Sequence, residues 1–281
     1  MQAFHVEQDH QLTRTIAVVN QKGGVGKTTT AVSLASALAV ADHPTLLVDL
    51  DPQANATAGL SRRSRPEGST IYEVLAEGRP VADSLHATGI PGLTLLPGSP
   101  DLVGVEVDLA AMTARESRLR AALAPIRPRF RYVLIDCPPS LGLLTLNGLV
   151  AAEGALIPLQ CEYFALEGLA QLVRTLETVR TRVNPALEIE GIVFTLFDGR
   201  TSLTAQVRTE VERYFKGQVF ATVIPRNVRL SEAPSHGRSI LQYDLRSPGA
   251  VAYLELAKEV VGRDEARTRS GSGRTPPAGG A

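Results

Sequence analysis

Lys22-Gly-Gly-Val-Gly-Lys-Thr-Thr29 lies between the apolar run at residues 15–20 and an Ala-rich segment of helical composition, and its reading decides the rest of the chain. Gly23, Gly24 and Gly26 allow consecutive backbone N–H groups to turn inward around an anion, and a helix N-terminus behind them adds its dipole. With Val25 completing the loop, Lys27 is placed to reach the β- and γ-phosphates of a nucleotide. Thr28 is the expected hydroxyl ligand of Mg²⁺, and Thr29 the expected partner of the α-phosphate. Strand, glycine-rich loop and helix in that order make the match specific.

Outward from this loop, apolar runs at residues 45–49, 93–96, 132–136, 155–159, 189–195 and 219–224 alternate with helical patterns. This predicts an α/β fold of the P-loop NTPase kind, a mostly parallel twisted sheet flanked by helices on both faces. Runs rich in Val, Ile and Leu suit strands buried on both faces. Leu166, Leu169, Val173, Leu176, Val179 and Val183 recur at steps of three or four, as do Leu203, Val207, Val211 and Phe215, so both sets read as core-facing helical stripes. Thr70 and Glu73 have the spacing of a capping box ahead of Val74 and Leu75.

The chain has 281 residues and a mass of 30.0 kDa, with 44% hydrophobic residues and 29 basic against 29 acidic side chains. A net charge of zero excludes a polybasic protein that coats nucleic acid constitutively. Cys137 and Cys161 are the only cysteines, which excludes a disulfide scaffold and a Cys-rich structural metal site and makes a reducing cytoplasm the default. The apolar tract at residues 141–159 is interrupted by Asn147, Gly148, Glu153, Gly154 and Pro158, as expected of a buried helix followed by a strand rather than a membrane span. Residues 1–12 read as a polar tail, residues 13–262 as one domain, and residues 263–281, a Ser, Gly, Arg and Pro mixture, as a disordered tail.

The second lysine at the loop entrance, Lys22, resembles the deviant Walker A family, and the resemblance covers nearly the whole folded chain. It implies that Lys22 reaches across a nucleotide-sandwich homodimer to the partner's ATP, acting as an arginine finger acts elsewhere. Asp49 and Asp51 end the segment Leu46-Leu-Val-Asp-Leu-Asp-Pro-Gln53, and Asp136 ends an apolar strand in Val133-Leu-Ile-Asp-Cys-Pro-Pro-Ser140. Aspartates ending adjacent parallel strands converge on the ligand crevice. By resemblance Asp51 positions or activates the attacking water, Asp49 supports the metal side, and Asp136 is the Walker B ligand of Mg²⁺. Cys137 and Cys161 read as small buried residues rather than nucleophiles or cluster ligands.

Three longer segments are similar to the chromosome-partitioning ATPases of the ParA/Soj type: Asp51-Pro-Gln-Ala-Asn-Ala-Thr57, Leu159-Gln-Cys-Glu-Tyr-Phe-Ala-Leu-Glu-Gly168 and Ile224-Pro-Arg-Asn-Val-Arg-Leu-Ser-Glu-Ala-Pro-Ser-His-Gly237. The resemblance implies adenine-pocket positions at Pro225, Arg226 and Asn227, near Phe197 and Asp198. It also implies nonspecific DNA binding by the ATP-bound dimer through Arg200 and Arg229, release through slow hydrolysis stimulated by a ParB-type partner, and a cytoplasmic, nucleoid-associated location without membrane attachment. Residues 198–246 hold eight basic and five acidic side chains, while residues 141–197 hold three and six, so the neutral total conceals a polarised chain. Two alternatives share the fold: a ligase or amidotransferase ATPase that activates a small carboxylate, and an ATPase that positions protein cargo. A membrane-cycling relative would carry a C-terminal amphipathic basic helix, which residues 263–281 lack.

Overall fold

In the computed structural model, residues 13–61 and 68–271 are described. Eight strands, β1 Arg14–Val18, β2 Thr45–Asp49, β3 His86–Ala87, β4 Leu93–Leu96, β5 Tyr132–Asp136, β6 Gly154–Gln160, β7 Glu188–Phe197 and β8 Val219–Pro225, form one sheet in the order β3-β4-β2-β5-β1-β6-β7-β8. All pairings are parallel except β3 with β4. The expected strands are present within a residue or two. The edge strand β3 has no counterpart among them, because two residues are too few to show an apolar pattern.

The helices, in chain order, are α1 Lys27–Val40, α2 Asn55–Leu60, α3 Ile71–Ala76, α4 Val105–Asp108, α5 Arg118–Leu123, α6 Leu143–Ala151, α7 Ala165–Arg182, α8 Ser202–Tyr214, α9 Val228–Glu232, α10 Ile240–Tyr243 and α11 Pro248–Gly271. Period-2 alternation sorts the strand side chains between two cores. Ile16 and Val18 of β1, Leu47 of β2 and Leu134 of β5 pack with α1, α2 and α9 to α11. Ala17, Leu46, Val48, Val133 and Ile135 face α3 and α5 to α8. Within α7, Leu169, Leu176 and Val179 are buried as their spacing predicts. In α8 Val207 and Val211 are buried, whereas Leu203 in the first turn is exposed. Thr70 and Glu73 form the expected capping box at α3: the Glu73 carboxylate accepts from Thr70 N–H at 2.7 Å.

The sheet register positions the site. In the central pairings Val18 lies beside Asp136 and Asp49 lies beside Asp136, so both carboxylates end their strands at the level where the glycine-rich loop leaves β1. Every functional segment then follows a strand's C-terminal end, the side on which parallel α/β sheets bind ligands.

One boundary requires correction. The helix α11 runs through to Gly271, well past the expected end of the domain at residue 262. Its charged residues are not solvated filler but partners for the far end of the sheet. Arg267 Nη1 donates to Glu190 Oε1 at 2.7 Å, Arg14 holds the other Glu190 oxygen at 2.6 Å, and Arg131 is ion-paired with Asp264. The Arg263 guanidinium stacks 3.9 Å from the Phe220 ring centroid and donates to the Glu190 and Val219 carbonyls. Residues 1–12 and 272–281, the remaining tail expectations, lie outside the described residues. Truncation after Gly262 leaves the buried Glu190 with one cation where it now has two, and is expected to cost about 2–4 kcal/mol. In a domain of this size that is a fall in Tm of roughly 5–12 °C, readable by calorimetry; an unchanged Tm would show the helix end to be dispensable.

Candidate nucleotide site

The loop from Asn20 to Gly26 is shaped by its glycines. Gly24 and Gly26 adopt φ of +76° and +84°, a conformation that side chains with a Cβ rarely take. Val25 is buried as the loop's anchor, and its carbonyl accepts a hydrogen bond from Thr195 Oγ1 at 2.8 Å, which ties the loop to β7. At the entrance, Asn20 bonds backwards and forwards, its Nδ2 donating to the Pro158 carbonyl at 2.7 Å and its Oδ1 accepting from Lys22 N–H at 2.9 Å. A Cβ placed on Gly23 or Gly24 would meet no atom within 4 Å, so neither position is crowded by the rest of the chain.

Lys27 opens α1 and is only 7% exposed. Its Nζ donates to the Lys22 carbonyl at 2.9 Å. Burial lowers its pKa, against the pull of Asp136 and Asp51. A buried ammonium favours a charge-assisted partner such as a carboxylate or phosphate oxygen over a backbone carbonyl.

The three aspartates differ sharply in their surroundings. Asp136 is completely buried, and among the described residues neither of its carboxylate oxygens has a hydrogen-bond partner of good geometry. Burial and then the neighbouring Asp49 charge push its pKa well up, while the Thr28 hydroxyl and Lys27 act in the opposite direction. An orphaned, buried carboxylate beside a threonine hydroxyl fits an oxygen-seeking cation. Among the described residues no group of three or more His, Cys, Asp and Glu that could hold a metal ion is found.

Asp49 is equally buried, but its oxygens are already taken by the chain. Oδ2 accepts from Thr57 N–H at 2.8 Å and Thr57 Oγ1 at 2.7 Å, and Oδ1 accepts from Asp51 N–H at 3.2 Å. Burial raises its pKa to about 6 despite these donors. The geometry gives Asp49 the work of shaping the loop that presents Asp51. Asp51, 7% exposed, accepts from Gln53 N–H at 2.9 Å through Oδ1. Thr57 ends one of the three family-like segments, but reasoning from sequence gave it no role; its hydroxyl also accepts from Gly98 N–H at 2.9 Å.

Lys22 Nζ is ion-paired with Glu162 Oε2 on the turn after β6. Glu162 too belongs to a family-like segment whose sequence carries no sign of this pairing. Cys137 is buried and its thiol pKa is driven up by desolvation, and burial pushes Cys161 to about 11, so both are inert small side chains.

The segments expected around adenine do meet. Phe197 pairs with Pro225, and Arg226 N–H donates to the Phe197 carbonyl at 3.3 Å. Asn227 caps α9, its Oδ1 accepting from Arg229 N–H at 2.8 Å, a bond that does not use its Nδ2. Arg200 and Arg229 follow β7 and β8 and are exposed at the same end of the sheet as the loop. Each is partnered. Arg200 forks onto Asp198 at 2.8 and 2.6 Å, which holds that carboxyl down at about 2, and Arg229 reaches Glu232 at 2.8 Å.

Comparison with known proteins places this site in a family. A family model described as an AAA domain matches residues 13–189. The chromosome partitioning protein ParA of Myxococcus xanthus is 53% identical over 251 residues, 89% of this chain and 89% of that protein. The chain belongs to the ParA/Soj family. The sporulation initiation inhibitor protein Soj of Bacillus subtilis is 50% identical over 248 residues, covering 88% of this chain and 98% of the relative. Among solved structures, one titled cobyrinic acid a,c-diamide synthase from Mycobacterium smegmatis with bound ADP and magnesium superposes with a TM-score of 0.79 at 39% identity, covering 91% of this chain and 96% of that one. ParA/Soj proteins are chromosome-partitioning P-loop ATPases. No described helix is long and apolar enough to cross a membrane.

Proposed function

We propose that this chain binds Mg²⁺-ATP in the glycine loop, dimerises face to face over the nucleotide, binds DNA nonspecifically as that dimer, and is released when a ParB-type protein accelerates hydrolysis. The observation that carries the reading is the pair of lysines. Lys27 is buried against the loop, whereas Lys22, five residues earlier, keeps its ammonium outside on an exposed ion pair.

Within one protomer the backbone N–H groups of residues 23–26 surround the β-phosphate and Lys27 neutralises the β- and γ-oxygens. Thr29 meets the α-phosphate, and Pro225, Arg226 and Asn227 border the base. Thr28 and Asp136 would hold Mg²⁺, which would supply positive charge against the negative charge that develops on the phosphate. Asp51, steadied by Asp49 and Gln53, orients water for attack on the γ-phosphorus in line with the bond to the departing ADP. Lys22 from the opposite protomer meets the same γ-phosphoryl charge.

Arg200 and Arg229 supply DNA contact from outside the nucleotide site. Their exposed ion pairs are worth little in water, so a DNA phosphate displaces Asp198 or Glu232 at small cost. Dimerisation doubles the surface, which suits binding switched on by ATP in a protein of zero net charge. Changing both arginines to alanine is expected to weaken ATP-dependent binding to duplex DNA by about 10–100-fold at low salt, read by fluorescence anisotropy, and to flatten the salt dependence, with ATP turnover intact. Undiminished binding would remove this surface from the assignment.

A second reading is favoured by the name of the Mycobacterium smegmatis structure, an amide-forming synthase. ATPase rates measured with and without duplex DNA and a basic partner peptide, across a salt series, separate the two. Stimulation by DNA and peptide that fades with salt supports partitioning; a rate indifferent to both favours small-molecule activation.

A further inference from the structure

Both lysines of the loop rest on stand-ins for phosphate. Lys27 Nζ sits on the Lys22 carbonyl, and Lys22 Nζ is paired with Glu162. The second contact spans 140 residues of sequence and crosses from the loop after β1 to the turn after β6. The backbone on both sides is held: Asn20 fixes Lys22 N–H and anchors to the Pro158 carbonyl within β6, and Glu162 N–H is bonded to the Gln160 carbonyl at 2.9 Å. Lys22 therefore has a backbone tied into the fold rather than part of a loose loop. Its ammonium is aimed at one carboxylate by two short, pinned segments. That carboxylate belongs to the same protomer, whereas the work assigned to Lys22 lies on another.

We propose that Glu162 is a latch that holds Lys22 in the single protomer and must release it before Lys22 engages the nucleotide of a second copy. The inference rests on the crosswise role of Lys22 stated above. Glu162 is a positioning residue here, with no contact to nucleotide. The Lys22 and Glu162 side chains are 45% and 44% exposed, so water screens the pair and its strength is modest. A weak latch still matters, because a symmetric dimer opens two of them. With about two- to five-fold per protomer, the dimer dissociation constant carries about a four- to twenty-five-fold penalty. ATP assists release from within the same loop: drawing Lys27 onto phosphate removes its bond to the Lys22 carbonyl, one of the contacts that hold the segment carrying the latched side chain. The latch thus makes dimerisation depend on nucleotide occupancy more steeply than the protomer contacts alone.

The test compares full-length proteins carrying Asp51→Ala, chosen to retain ATP, with and without Glu162→Gln, in saturating Mg²⁺-ATP, by sedimentation equilibrium. Glu162→Gln keeps the shape and removes the charge. The expected result is a dimer dissociation constant about four- to twenty-five-fold lower, a gap that narrows in 1 M salt, and near-complete restoration of the parent value by Glu162→Asp. Gain of affinity with conservative rescue is a signature that a merely structural residue does not produce. An unchanged constant, or a weaker dimer, overturns the latch while leaving the crosswise lysine in place. A parent that remains monomeric with ATP overturns the crosswise reading, and the latch with it.

Discussion

Lys27→Ala is expected to weaken ATP binding by about 100–1,000-fold without destabilising the empty protein. The affinity loss follows from removing a buried cation from two phosphate groups, a truncation worth roughly 2–5 kcal/mol when the charges are desolvated. The second half of the expectation comes from the state of Lys27 before nucleotide arrives. It is 7% exposed, burial lowers its pKa, and its Nζ has a single carbonyl partner, so the empty loop bears a desolvated charge for which it is only partly compensated. Removing that charge relieves the loop while depriving Asp136 and Asp51 of a counter-ion. These effects oppose each other, and a Tm within about 3 °C of the parent is expected from scanning calorimetry. Titration with a fluorescent ATP analogue reads the affinity. Binding within three-fold of the parent would mean that this loop is not where phosphate sits. Loss of binding together with a collapse in Tm would instead reveal Lys27 as a structural residue.

The contrast between Lys27 and its neighbours explains what could be read from sequence. The glycine loop, the strands and the strand-end aspartates are local patterns. Spacing within eight residues fixes which backbone amides turn inward, and alternation within five fixes which side chains leave a strand on each face, so Gly24, Gly26, Asp49 and Asp136 stand where the sequence puts them. The division of labour among the aspartates was not local. Asp49 and Asp136 look alike in sequence, each ending an apolar strand. They diverge because α2 folds Thr57 back onto Asp49, while nothing of good hydrogen-bonding geometry reaches Asp136. That fold-back begins at Ala54, a non-glycine residue at φ +50° for which the sequence carries no warning. Longer-range pairings were hidden altogether. Glu162 meets Lys22 across 140 residues, and Arg267 meets Glu190 across 77, so composition alone made the end of α11 look like solvated tail. A charged segment is held in a fold by partners elsewhere in the chain, and composition does not display them.

Asp51→Ala is expected to lower ATP hydrolysis by about 100–10,000-fold while leaving ATP affinity within a few-fold, and so to trap the protein as a DNA-bound dimer. The loss in rate is that of a group positioning or deprotonating the attacking water. Sparing of affinity follows from the geometry. Asp51 bonds to the chain through Gln53 N–H and, by its own N–H, to Asp49; it lies past the end of β2, whereas the groups proposed to bind phosphate come from the loop after β1. Deleting a carboxylate near the γ-phosphate also removes a like charge, which offsets whatever packing is lost. Asp51→Asn separates orientation from proton transfer, because the amide retains the hydrogen bond from Gln53 yet cannot accept a proton from water. If Asn hydrolyses as slowly as Ala, Asp51 acts as a base; if it recovers most of the rate, Asp51 acts by orientation. Single-turnover hydrolysis gives the rate, and retention on duplex DNA after ATP is withdrawn reads the trap. The Arg200 and Arg229 double substitution in the Asp51→Ala background then distinguishes the two halves of the cycle: a stable dimer that no longer holds DNA places hydrolysis and DNA contact on separate surfaces. Normal turnover by Asp51→Ala would remove this residue from the chemistry and leave Asp49, already committed to Thr57, unable to take its place without unfolding the loop.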